Sequence, residues 1–175
     1  VGRSALDSIG VLLEREAKRW LLFGDLAANR YRAQTQLTGE TELLVESAAF
    51  SSPSFGAVLE AQGWGLYRVS PDGDVKRFMH REFGCADLIV QRTAFEQDAL
   101  SRAAHELLPS GLSVPVPSRE DAILCKLIAG RARDLADIES ILDSSPALDE
   151  AYIERHGAPL GLLDTWRKLL TASRA

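Results

Sequence analysis

Two carboxylates two residues apart, Glu40 and Glu42, stand in Thr38-Gly-Glu40-Thr-Glu42-Leu-Leu-Val. Residues i and i+2 of a strand share a face, so on a strand both acids point the same way. Like charges held that close repel unless something positive lies between them. A divalent cation answers that need, and ligation by oxygen alone suits magnesium. Upstream, the apolar Trp20-Leu-Leu-Phe23 runs into Gly24-Asp25-Leu-Ala-Ala-Asn-Arg-Tyr, a glycine turn that opens a short helix. Alone, Glu-x-Glu is also what a solvated strand edge looks like. The strand, turn and helix before it are what mark it as chemistry.

The elements that must position these acids follow from hydrophobic periodicity and turn signals. Residues 5–19 read as an amphipathic helix, 20–23 as a buried strand, 26–32 as a helical turn or two and 41–45 as a second strand. Ser52-Pro53 starts a helix, with serine as cap and proline in its favoured first position; it ends near Gly63. Residues 64–70 and 75–80 form a hairpin around Pro71-Asp72-Gly73-Asp74. Residues 86–91 are a buried strand, 94–107 a helix and 112–116 a short strand. Ser118-Arg-Glu-Asp121 is close to a capping box and opens a helix to about Ala129. Helices over 133–142, 148–156 and 159–173 complete the chain. The layout predicts an α/β (α+β) protein: a mixed sheet with packed helices over residues 1–117, and a helical part over 118–175 packed on it as one unit.

With 175 residues, 46% hydrophobic and 26% charged, the composition is that of an ordinary globular protein with an adequate core. No long apolar run predicts a membrane span. Arg3, Asp7, Glu14, Arg15 and Glu16 interrupt any signal-peptide core. Cys85 and Cys125 lie in apolar contexts and read as buried free thiols in a reducing cytoplasm rather than a disulfide. A net charge of −5 argues against a general nucleic-acid coat. Arg30, Arg32, Lys76, Arg77, His80 and Arg81 are the basic inventory for a groove, or a solvated face. His80 sits at a strand end, and His105 and His156 in helices; none has a metal-ligand partner at suitable spacing. Phosphate-loop, dinucleotide, zinc-protease and serine-hydrolase signatures are absent.

The Gly24-Asp25 turn followed by Glu40-x-Glu42 resembles the nucleotidyltransferase superfamily, whose signature is a Gly-Gly or Gly-Ser turn opening a helix and then Asp-x-Asp on a strand. Asp87, in Cys85-Ala-Asp87-Leu-Ile-Val, resembles the third carboxylate these enzymes place on a neighbouring strand. There it helps hold metal and can serve as base for the attacking hydroxyl. A second stretch, Glu120-Asp-Ala-Ile-Leu-Cys-Lys126-Leu-Ile-Ala-Gly130-Arg131-Ala-Arg133-Asp134-Leu-Ala-Asp137-Ile, looks like the C-terminal signature of the AbiEii-like, abortive-infection toxin type. The resemblance covers about residues 15–142. It implies Glu40, Glu42 and Asp87 as ligands for Mg2+ or Mn2+, Lys126 as a point charge for nucleotide phosphates, and Gly24, Asp25, Arg131, Asp134 and Asp137 around the nucleotide. The plainer reading has Asp134 as a cap and Asp137 paired with Arg131 or Arg133.

Three residues depart from the family pattern. Asp25 stands where a small residue would leave backbone N–H groups open to phosphate, and its charge repels a triphosphate. Glu40 and Glu42 each add a methylene where magnesium demands tight geometry. An arginine is also common in relatives near Gln36. Two functions are therefore expected. One is a nucleotidyltransferase moving a nucleoside monophosphate from an NTP to a hydroxyl of RNA (a tRNA end) or protein, as the toxin of a toxin–antitoxin pair. The other is a weakened or inactive relative that binds nucleotide or a protein partner.

Overall fold

Ser4 starts the first helix by capping: its hydroxyl accepts from the Asp7 amide at 3.1 Å, and the Asp7 carboxylate accepts from the Ser4 amide at 3.0 Å. The same reciprocal box stands at Thr93 with Glu96 and at Ser118 with Asp121, fixing two more helix starts. The computed structural model describes residues 4–36, 38–144 and 147–174. In chain order it contains α1 (Ala5–Arg15), β1 (Trp20–Phe23), α2 (Gly24–Ala28), β2 (Glu40–Val45), α3 (Ser47–Phe50), α4 (Pro53–Ala61), β3 (Gly65–Val69), β4 (Val75–His80) and β5 (Gly84–Val90). Then come α5 (Ala94–Arg102), β6 (Ala104–Leu107), β7 (Ser113–Val116), α6 (Arg119–Ala129), α7 (Ala132–Asp143), α8 (Glu150–Gly157) and α9 (Leu163–Ser173).

β1 to β5 form one mixed sheet in the order β1-β2-β5-β4-β3, as the alternating layout predicted. β2 and β5 are parallel; the other neighbours are antiparallel. Strand alternation divides the core in two. Trp20, Leu22, Leu43, Val45, Ala86 and Leu88 face α1, α4 and β7, where Ile9, Leu13, Phe55, Leu59, Trp64 and Val114 are buried. Leu21, Leu44 and Ile89 face the other way, against Phe95, Ile123, Leu124, Ile138 and Trp166 of α5, α6, α7 and α9. The C-terminal helices are thus the second wall of the sheet. No helix of the described residues is long and apolar enough to cross a membrane.

Four expectations are corrected. The helix expected over 94–107 ends at Arg102, and β6 pairs with β7 across the turn at Gly111, whose φ is +88°. Pro109-Ser-Gly111 between two apolar segments is a hairpin signal that helix periodicity overrode. His105 therefore lies on a strand, opposite Pro115. α1 stops at Arg15 rather than 19 because Ala17 turns left-handed, with φ 50°, and the Lys18 amide bonds back to the Leu13 carbonyl at 2.9 Å. The short helix α3 had no counterpart in the sequence reading. Both cysteines are free; Cys125 is buried and Cys85 only partly so.

Candidate active site

One cross-strand row holds most of the acids. Register pairs Phe23 with Glu42, Glu42 with Asp87, and Asp87 with Arg77, so four adjacent strands line up these side chains on one face. Glu40, two residues before Glu42, shares that face. The row lies one step beyond Leu21, Leu44 and Ile89, at the margin of the C-terminal helices' cover: Phe23 still packs on that cluster, Asp87 is buried and Glu40 and Glu42 are partly so. Glu42 leans on the turn that ends β1. A Cβ built on Gly24 would lie 1.6 Å from Glu42 Oε2, and Gly24 has φ +62°. Only glycine permits this backbone and this close approach together.

Arg77 answers the acids. Its Nε and Nη2 donate to the two carboxylate oxygens of Asp87 at 2.7 and 2.6 Å, and Nη2 also donates to Glu40 Oε1 at 3.2 Å. The hydrogen bond to Asp87 holds the guanidinium charged more firmly than usual. Glu42 is left over: among the described residues it makes no hydrogen bond or ion pair. Burial, and then the charges of Asp25, Glu40 and Asp87, push its carboxyl above the ordinary range.

A second cluster stands next to the row. Asp25, Asp134 and Asp137 bring carboxylate oxygens within 4.8 Å of one another. The Lys126 ammonium lies among them, donating to Asp134 at 3.1 Å, reaching Asp137 at 2.8 Å and bonding Asp25. An ammonium has three N–H donors, and here each has a carboxylate. Arg32, its side chain wholly buried, pairs with Asp137 and with Asp25 at 3.3 Å. Arg131 holds Asp134 with Nε at 2.6 Å, and its backbone amide donates to the same carboxylate at 3.1 Å. Burial alone would raise the Asp25 and Asp134 carboxyls; Lys126 and the arginines outweigh it and lower both. Burial would likewise lower Lys126, but its three carboxylates raise it. Gln36 donates to Asp137 at 3.3 Å.

The structure therefore brings Glu40, Glu42 and Asp87 to one face, with Gly24 and Asp25 at the turn beside them. It brings Lys126, Arg131, Asp134 and Asp137 to Asp25. Asp137, expected to pair with Arg131 or Arg133, pairs instead with Lys126 and Arg32. The basic residues do not line one groove. Lys76 points to the opposite face and donates to the Phe50 carbonyl at 2.6 Å. Arg30 pairs with Glu106. His80 packs on Phe83 and Trp64 at 4.4 and 5.2 Å between ring centres. Arg32 and Arg77, expected in a groove or on a solvated face, are counter-ions of the two acid groups. The pairing of Arg77 was countable: the turn at 81–83 sets His80 opposite Gly84, and three steps further out sets Arg77 opposite Asp87.

Three carboxylates are an all-oxygen donor set of the kind magnesium or manganese takes. As arranged they do not fit a divalent ion, because Arg77 covers both oxygens of Asp87 and one of Glu40 and would repel it. In the second cluster the central place belongs to the Lys126 ammonium.

No family model matches the sequence, and no curated protein matches it. Solved structures match by fold. The lincosamide antibiotic adenylyltransferase LnuA, solved with lincomycin bound, is 14% identical with a TM-score of 0.54, covering 82% of this chain and 100% of that one. An antigenic nucleotidyltransferase-like protein from Paracoccidioides brasiliensis is 15% identical with a TM-score of 0.58, covering 95% and 89%. The antibiotic-resistance factor ANT(2'')-Ia is 13% identical with a TM-score of 0.59, covering 97% and 95%. At such identities the likeness is one of fold, and the mixed sheet with its packed helices is nucleotidyltransferase-like.

Proposed function

We propose that the protein is an attenuated nucleotidyltransferase, moving a nucleoside monophosphate from an NTP to a hydroxyl acceptor slowly as the chain stands. The observation that carries this is the row of Glu40, Glu42 and Asp87 on one face of a nucleotidyltransferase-like sheet, beside the Gly24 turn. In the reaction the acceptor oxygen bonds to the α-phosphorus, the bond to pyrophosphate breaks, and the acceptor proton needs a base. Asp87 has both oxygens engaged by Arg77. Glu42 has no such bond, and burial with three neighbouring acids raises its carboxyl, which makes it the more ready proton acceptor of the two. The acceptor hydroxyl belongs to RNA, such as a tRNA end, to a protein, or to an antibiotic of the kind in the neighbours' complexes, lincomycin in LnuA and adenylyl-2''-tobramycin in a crystal structure of ANT(2'')-Ia that matches at 13% identity with a TM-score of 0.55. Directed at RNA or protein, the same transfer would make the chain a toxin countered by an antitoxin partner.

A second reading is favoured by the counter-ions. Arg77 already occupies the first acid group and Lys126, with Arg32 and Arg131, the second, and the Asp25 charge sits at the turn where phosphate would bind. That arrangement suits an inactive nucleotide-binding or protein-interaction module. The test is transfer of label from NTPs, with Mg2+ or Mn2+, to total RNA, protein, lincomycin and tobramycin. The unaltered chain should give weak transfer. The triple variant Asp25→Gly, Glu40→Asp, Glu42→Asp should give at least about a hundredfold more, the scale set by an ångström of misplacement. Robust transfer by the unaltered chain would overturn the attenuation. No transfer by the folded triple variant would put the module ahead.

A further inference from the structure

We propose that His80 is a pH-sensitive lock on the turn between β4 and β5: the neutral ring holds residues 81–83 closed, and a proton on the ring releases them. His80 is the last residue of β4 and pairs with Gly84, the first of β5. Its Nδ1 accepts from the Glu82 amide at 3.1 Å and from the Phe83 amide at 3.3 Å. An imidazole nitrogen accepts only while it carries no proton. The geometry therefore requires the neutral ring with its hydrogen on Nε2. A proton on Nδ1 turns the acceptor into a donor that faces two donors, and both bonds are lost together.

The ring itself is held in place, so the two bonds are what a proton changes. Phe83 stacks on it at 4.4 Å between ring centres, and Trp64 lies against it at 5.2 Å. Trp64 is wholly buried and donates from Nε1 to the Ser8 hydroxyl of α1 at 3.2 Å. Past the end of α4 the backbone leaves a slot for the ring: a Cβ on Gly63 would lie 2.8 Å from Nε2, and Gly63 has φ +86°. Gly63, Trp64 and Phe83 bring no charge to the ring. Arg81 and Glu82 on the turn, and Glu60 on the last turn of α4, are exposed, where salt and water screen them. Cys85, next along β5, is a partly buried thiol. Among the described residues His156 has a carboxylate at ion-pairing distance, that of Asp98, and His80 has none. The state of the turn thus follows the proton on one ring. The same hairpin sets Arg77 opposite Asp87, three residues in from the turn.

Nuclear magnetic resonance on the full chain tests the lock. Ring nitrogen shifts of His80 near neutrality should report a proton on Nε2 and none on Nδ1. As acidification to about pH 5 charges the ring, the Glu82 and Phe83 amides should lose about tenfold in protection against hydrogen exchange, the scale of one net hydrogen bond. Leu44, in the middle of the sheet, should keep its protection. Two variants separate acceptor from ring. His80→Asn puts a carbonyl oxygen where Nδ1 stands; asparagine accepts from the backbone just ahead of it in turns and does not titrate, so both amides should stay protected at either pH. His80→Phe keeps the stack and removes the acceptor, so both should exchange fast at either pH. A proton on Nδ1 near neutrality overturns the proposal. Unchanged protection of both amides once the ring is charged does the same. A ring that takes its proton only as Leu44 loses protection marks acid unfolding of the whole chain and overturns it as well. Should neither variant fold, the tautomer and the two amides of the unaltered chain decide.

Discussion

Glu42 is the residue on which the site's electrostatics converge. Burial and three neighbouring acids hold its carboxyl above the ordinary glutamate value of 4.5. The folded chain therefore keeps a proton on Glu42 at pH values where the unfolded chain has lost it. Stability from this group is fully present below about pH 4.5, and it declines as pH rises through the raised value. Glu42→Gln removes the titration while keeping the shape. The variant should be more stable than the unaltered chain at pH 7 and indistinguishable from it near pH 4. Urea midpoints at those two pH values check this, and a uniform shift at both would show that packing, not charge, was responsible.

At the scale of elements, Lys126 is what ties α6 to α2 and α7. It sits near the end of α6, which Gly130 closes in the left-handed conformation with φ 62°. The lysine then reaches Asp25 on α2 and both acids of α7. Lys126 is the one cation that touches all three carboxylates, with Arg32 and Arg131 sharing the load, so its loss leaves the crowded acids under-compensated. Lys126→Met should cost about 3–5 kcal/mol in urea unfolding, the range for removing one partner of a buried ion pair. Asp25→Asn should cost less, about 1–3 kcal/mol, because Lys126 keeps Asp134 and Asp137. Equal losses would mean that Asp25, rather than the lysine, organises the cluster. The Lys126 and Asp-x-x-Asp helix segment resembling a nucleotide-binding signature is thus, in this chain, also the bolt that closes helix on helix.

For the whole molecule, one sheet is shared by two walls. Trp20 and Trp64 are buried on the α1 and α4 side, and Trp166 on the side of the C-terminal helices. The first wall adds only the two-stranded β6–β7 sheet, and the C-terminal helices have none among the described residues. Residues 1–117 and 118–175 should therefore unfold together. Variants that retain Trp64 alone or Trp166 alone, with the other tryptophans changed to Phe, should give coincident urea transitions, matching far-UV circular dichroism. Separate midpoints would mark the helical part as a unit that melts by itself.

What the sequence determined by itself is local or periodic. The strands around the acids were legible because their apolar runs are bounded by glycine and turn residues. Capping residues announced α4 and α6, and alternation put Glu40 and Glu42 on one face. The hairpin turn at Pro71-Asp72-Gly73-Asp74 was legible for the same reason. Where two local signals competed, over 94–107, periodicity outvoted the Pro109-Ser-Gly111 turn and the strand β6 was missed. The pairings of charge across the fold are of another kind. Lys126 lies 101 residues from Asp25 in the chain, and Arg77 lies 37 from Glu40. Nothing in residue type says which acid a lysine will meet, since an ion pair depends on distance and burial, and those exist only once both walls have closed on the sheet. Tertiary structure alone decided that Arg32 and Lys126 would meet the acids of the second cluster, whereas Arg77 meets Asp87 through the register of a single hairpin.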